Sequence, residues 1–176
     1  MFDELLSKKE LWILTFLRKN SRLHLTKIGK RTDIPISTVH DKLKKGKYDG
    51  VITKFTALVD FSKIGYNARA IITLKVKRDQ KSELFEFLSK NENVNCLCRI
   101  NNGYDFMVEM VFKGIKELEG FLDRIDNKFE IEKKEVYHVI EDVKRESFLS
   151  DPNTFKIENK LNDTEKKDGS RCAEIA

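Results

Sequence analysis

Three observations predict an α+β chain in two parts, short helices first and an antiparallel sheet with its own helices second. Residues 8–47 repeat apolar side chains at helical spacing, residues 68–148 order themselves as strand, helix, strand, strand, helix, strand, and the net positive charge sits in the first part. Residues 1–60 hold 13 Lys+Arg against 7 Asp+Glu, residues 61–148 hold 16 against 16, and residues 149–176 hold 5 against 6, giving +6, zero and −1. With 176 residues in all, either part can bury a core. A basic module joined to a neutral one fits a nucleic-acid-binding part and a part with another task, and charge alone leaves a merely solvated basic face as the alternative.

The first part divides into three helices. Ser7-Lys8-Lys9-Glu10 has capping-box spacing, in which a serine oxygen and a glutamate carboxylate satisfy backbone N–H groups at a helix start. It predicts a helix from about residue 8 to residue 19, with Leu11, Leu14 and Leu17 as the buried stripe and Ile13 and Phe16 alongside. Residues 25–31 (LTKIGKR) are short and helical in pattern, Asp33-Ile34-Pro35-Ile36 interrupts them, and Ser37 is the expected N-cap of a third helix, Thr38 to about Lys47. Two short helices joined by a tight turn make the helix-turn-helix pattern. Gly29 falls where the second helix would cross the third. After the turn dipeptide Asp49-Gly50, the segment Val51–Val59 reads as the strand that leaves a winged helix domain.

In the second part, Ala70–Val76 is β-branched, and Lys81–Lys90 carries Leu84, Phe85, Phe87 and Leu88 at helical spacing. Val94–Ile100 and Phe106–Phe112 are strands around Asn101-Asn102-Gly103, Lys116–Asn127 is a second helix, and Glu130–Val143 is the last strand. That order is the ferredoxin-like βαββαβ arrangement, whose sheet has one face bare. Burial against a second copy is the usual remedy, so a homodimer at least is expected, with a higher homo-oligomer such as an octamer left open. The expected domains are therefore a winged helix-turn-helix with linker strand at 1–60, a ferredoxin-like oligomerisation and effector domain at 61–148, and a disordered tail at 149–176, where large apolar residues are few.

Several function classes are set aside. No apolar run approaches the ~18 residues of a membrane helix, and the N-terminus lacks the apolar core of a secretory signal, so the cytoplasm is expected. Cys96, Cys98 and Cys172 do not make a disulfide framework. Cys96 and Cys98 alternate onto one strand face and are expected as core thiols; no zinc spacing accompanies them, so no metal is assigned. His24, His40 and His138 are dispersed, and neither a nucleophile motif nor a Gly-rich phosphate loop is present. Neither an enzyme nor a cofactor is expected.

The third helix carries the candidate chemistry. At ~100° per residue, Val39 and Leu43 point inward, Ser37, Thr38, Asp41, Lys44, Lys45 and Tyr48 face out, and His40 and Lys42 flank them. Such helices lie in the DNA major groove, which makes Thr38, His40, Asp41 and Lys42 base-reading candidates beside Ser37. Lys27, Lys44, Lys45 and Lys54 are the expected phosphate contacts, which position without specifying sequence.

With these elements in this order, the sequence resembles the leucine-responsive regulator/AsnC family, the feast/famine regulators of bacteria and archaea. Residues 25–31 followed by Ser37-Thr38-Val39 look like the family's helix-turn-helix core. Residues 50–57, Asp60 and Gly65-Tyr66 look like its wing and linker strand, and residues 99–105 (RINNGYD) resemble the loop of its ligand-sensing domain. The resemblance spans about residues 5–148. It implies a DNA-binding transcriptional regulator that oligomerises through its C-terminal domain, with double-stranded DNA as partner and a small-molecule effector at Asn101, Asn102, Gly103, Tyr104 and Asp105. A tight hairpin turn is the competing reading of that loop, because Asn-Gly is a strong hairpin signal. Two departures stand out: Asp33 replaces the family's usual turn glycine, and residues 101–103 lack the family's acidic residue. An architectural DNA binder of low specificity is an alternative. Sirohaem decarboxylases, which also look like this family, are another, although their Arg/His-rich stretch is missing here.

Overall fold

The computed structural model describes residues 6–151, which fall into two compact units: residues 6–57 with 144–151, and residues 58–143. The part of the expected tail beyond residue 151, with Cys172, lies outside the described residues.

The helical unit contains α1 (Lys8–Lys19), α2 (Leu25–Thr32) and α3 (Ile36–Tyr48). The capping box forms at the start of α1. The Ser7 hydroxyl accepts from the Glu10 N–H at 3.4 Å while the Glu10 carboxylate accepts from the Ser7 N–H at 2.7 Å. Between α2 and α3 the chain reverses at Asp33, which sits left-handed at φ 54°, ψ 38°. Gly29 is required there by space, since a Cβ would lie 2.8 Å from the Ile34 carbonyl oxygen. The unit closes on Ile13, Phe16, Leu17, Ile28, Ile34 and Val39.

Two expectations for this unit change. Pro35, not Ser37, caps α3: its carbonyl accepts the first helical bond, from the Val39 N–H at 3.0 Å, and its ring fixes φ at −53°. Ser37 is thereby drawn into the first turn. Residues 51–60 form no strand. Their composition alternates, but no strand lies beside them among the described residues, and an extended segment needs a ladder partner to be a strand. The Ile52 N–H, bonded to the Gly46 carbonyl at 2.9 Å, ties the start of this segment to the end of α3, and the Ile52 side chain packs against the helical core.

The sheet unit runs β1 (Ala68–Val76), α4 (Lys81–Ser89), β2 (Val94–Arg99), β3 (Phe106–Phe112), α5 (Ile115–Lys128) and β4 (Ile131–His138). The spatial order is β2-β3-β1-β4, antiparallel throughout. This is the expected ferredoxin-like arrangement. β4 ends earlier than expected, at His138, which pairs with Ala70; beyond it one bond runs from the Val139 N–H to the Arg69 carbonyl at 2.9 Å. One sheet face packs under α4 and α5 through Ile72, Leu74, Val108, Met110, Phe112 and Phe121. On the other face lie Arg69, Ile71, Thr73 and Lys75 of β1, half-buried, with no helix of this unit over them among the described residues.

Candidate nucleic-acid interface

Helix α3 is held by one face and leaves the opposite face in solvent. Val39 is completely buried and Leu43 packs against the same core, while Ser37, His40, Asp41, Lys44, Lys45 and Lys47 are exposed. His40 and Asp41 keep 66% and 79% of their side-chain surface, with His40 Nδ1 3.7 Å from the Asp41 carboxylate. Thr38 is half-buried at the edge of this face. Five of the nine expected DNA-contacting residues, Ser37, His40, Asp41, Lys44 and Lys45, thus share one surface.

Lys42 is placed differently. Its ammonium turns to Glu10 Oε1 at 3.0 Å, and the two side chains are only 32% and 11% exposed. Glu10 therefore joins the cap of α1 to α3. The Ser7 hydroxyl, then the Ser7 N–H, and finally Lys42 hold its carboxyl down to about 2. Lys27 on α2 and Lys54 in the segment after α3 are exposed. Sequence reasoning passed over Lys47, whose ammonium lies 4.8 Å above the Phe55 ring, and Arg31, whose guanidinium lies 5.8 Å above the Phe16 ring. The run Lys42–Lys47 held the signal for the former.

The expected effector residues belong to the other unit, at the β2–β3 turn. Asn102 and Gly103 both have positive φ, 62° and 86°, as a type I′ hairpin turn requires. Asn101, Asn102 and Gly103 are exposed; Tyr104 and Asp105 are half-buried. The Asp105 carboxylate is already committed, to the Lys81 ammonium and to the Val76 N–H at 3.1 Å. Burial pushes its pKa up, but these two partners outweigh burial and hold it below the ordinary value. Tyr104 sits beside Glu135, which raises the phenol and is itself lowered by the hydroxyls of Tyr104 and Tyr137.

Residues 69–149 match the model of the Lrp/AsnC ligand-binding domain. A regulator from Pyrococcus furiosus named HTH-type transcriptional regulator FL11 is 35% identical over 113 residues, 64% of this chain and 75% of its own length. The chain belongs to the Lrp/AsnC family. Among solved structures, Bacillus subtilis LrpC superposes with a TM-score of 0.72 at 19% identity, over 79% of this chain and 97% of that one. A Neisseria meningitidis transcriptional regulator, solved as its L-Met complex, does so with a TM-score of 0.73 at 17% identity, over 80% and 93%. These two establish the fold. The Lrp/AsnC chain described here is accordingly a DNA-binding transcriptional regulator with a ligand-binding domain.

Its two departures from the Lrp/AsnC pattern now have a geometry. Asp33 takes the left-handed position that the family's glycine would occupy, which a short polar side chain tolerates. Gly103 brings no carboxylate to the loop. Among the described residues no helix is long and apolar enough to cross a membrane.

Proposed function

We propose that this Lrp/AsnC regulator reads duplex DNA sequence-specifically through the outer face of α3, with residues 1–60 as its DNA-binding domain. One observation carries the reading: a helix fixed by Val39 and Leu43 presents a continuous polar and cationic face, in a part of the chain with charge +6. Ser37, Thr38, His40 and Asp41 then meet base edges, and Lys27, Lys44, Lys45 and Lys54 meet phosphates. Lys42 reaches a base only if its ion pair with Glu10 opens, so its first role is to brace α3 against α1.

Residues 61–148 are assigned to self-association and effector binding. The uncovered sheet face, with Ile71 and Met107 on it, supports a homodimer, from which an assembly such as an octamer is built by further contacts. The L-Met complex of the Neisseria neighbour supports a small-molecule effector here too, at residues 101–105. Without an acidic side chain at Gly103, the loop offers an amino group less than its relatives do, and Asp105 serves the turn first. The names of the relatives support regulation rather than catalysis, and a cytoplasmic protein.

Selection of host genomic fragments by the full-length chain tests this reading. The expected outcome is a recurrent motif in paired half-sites ~10 bp apart, or a multiple of that spacing. Tight binding with no recurrent motif would make the protein architectural, and no binding to duplex DNA would remove the proposal.

A further inference from the structure

Ile36, the first residue of α3, is 51% exposed. Every other Ile, Leu, Val, Phe and Trp of α1, α2 and α3 is buried or half-buried. The exposure does not come from a loose helix end. Pro35 fixes the entry to α3, and the base of the Ile36 side chain lies against α2, where a Cβ on Gly29 would be 3.5 Å from Ile36 Cγ1. The rest of the side chain stands in solvent although it could have been a polar one at no cost to the core.

Its place on the helix is specific. Residues four positions apart share one stripe, so Ile36 lies one turn before His40, and Lys44 follows one turn later. Ile36 therefore extends the exposed face toward the N-terminal end of the helix, the end from which such helices contact base edges. Beside it, between α2 and the start of α3, is a shallow recess lined by Thr26, Lys30, Asp33 and Pro35. With one cation, Lys30, against one carboxylate, Asp33, the recess carries no net charge with which to hold a free anion. Ile36 brings neither a donor nor an acceptor, so it cannot read the hydrogen-bonding edge of any base. The apolar group that the major groove presents is the C5 methyl of thymine.

We propose that Ile36 is a specificity-determining residue of this regulator, packing against the C5 methyl of one thymine in each half-site. The inference rests on the assignment of α3 to duplex DNA and deepens it: one position of the site is chosen by apolar contact, beside those chosen by hydrogen bonds from Ser37, Thr38, His40 and Asp41.

Equilibrium binding of the full-length chain to its selected duplex tests this, with thymines replaced one at a time by deoxyuridine. That base lacks the C5 methyl and keeps the same hydrogen-bonding edge. Wild type should lose about fourfold in affinity at one thymine of a half-site, the worth of one buried methyl. Ile36→Ala and Ile36→Asn should bind the thymine and deoxyuridine duplexes equally at that position and keep the wild-type response at every other thymine. Each variant is compared with itself on two duplexes, so a loss of folded protein cancels. Wild type indifferent to every replacement, or both variants retaining the wild-type loss at every position, would overturn the role of Ile36 while leaving sequence-specific binding intact. A wild type that does not prefer the selected duplex to an unrelated one would overturn the reading of α3 and this inference with it.

Discussion

Among the described residues the sheet unit closes on sixteen buried apolar side chains, including Phe106, Phe112, Phe121 and Phe129, whereas the helical unit closes on six. The larger core spreads its stability over many contacts. The smaller one leans on specific local devices: the Ser7–Glu10 capping box, the Lys42 brace, the left-handed Asp33 and the side-chain-free Gly29. A unit that leaves a whole helix face in solvent, as the proposed DNA contact requires, has less surface to bury, and it compensates with geometry at the helix ends and crossings.

This contrast can be broken by mutation, because Trp12, the one tryptophan, lies in the helical unit and reports it by fluorescence. The largest expected effect is Phe121→Ala, which empties the centre of the sheet unit and should cost that unit about 3–5 kcal/mol in denaturant unfolding. The Trp12 transition should stay in place. If it shifts equally, the two cores unfold as one and the contrast fails. Next comes Gly29→Ala. Its new methyl would press on the Ile34 backbone carbonyl and should lower the Trp12 transition by about 1–3 kcal/mol, leaving the sheet signal alone. An unshifted Trp12 transition would show that the turn relaxes freely.

The smallest effect is Glu10→Gln, about 1 kcal/mol near neutral pH, as for loss of a helix cap. Its sign follows from linkage. The Glu10 carboxyl is lowered from 4.5 to about 2 in the folded chain, so its stabilisation is complete above about pH 4.5 and disappears as pH falls through about 2. Wild type should lose its advantage over Glu10→Gln across that window in melts followed by Trp12. A difference that persists in full well below pH 2 would assign the effect to something other than the carboxylate.

What could be read from the chain depended on how local the signal was. The capping box, the left-handed Asp33 and the Asn102-Gly103 turn are set by residues within a few positions of one another, and each forms. β3 spans Phe106–Phe112 as expected, since it is buried between two neighbours and its apolar run ends where they end. Misreadings arose where the deciding contact is elsewhere in the chain or absent from it. Residues 51–60 alternate like a strand but have no strand partner among the described residues, β4 stops at His138 short of the expected Val143, and Cys96 and Cys98 look apolar but fall on the helix-free face of an edge strand. For the DNA-contact set, helical phase gave the outward face of α3. It did not give the inward turn of Lys42, which is decided by Glu10, thirty-two positions away.

The central claim, that the outer face of α3 meets DNA, is tested most directly by equilibrium binding of the full-length chain to a selected duplex and to an unrelated one over a range of salt. Lys45→Ala should flatten the dependence of log K on log salt by about one unit and keep the site preference, as loss of one phosphate contact requires. His40→Ala should leave that slope unchanged and reduce discrimination between the two duplexes by about 1–3 kcal/mol. Wild-type slope and wild-type discrimination in both variants would contradict the account and place the DNA contact on another surface.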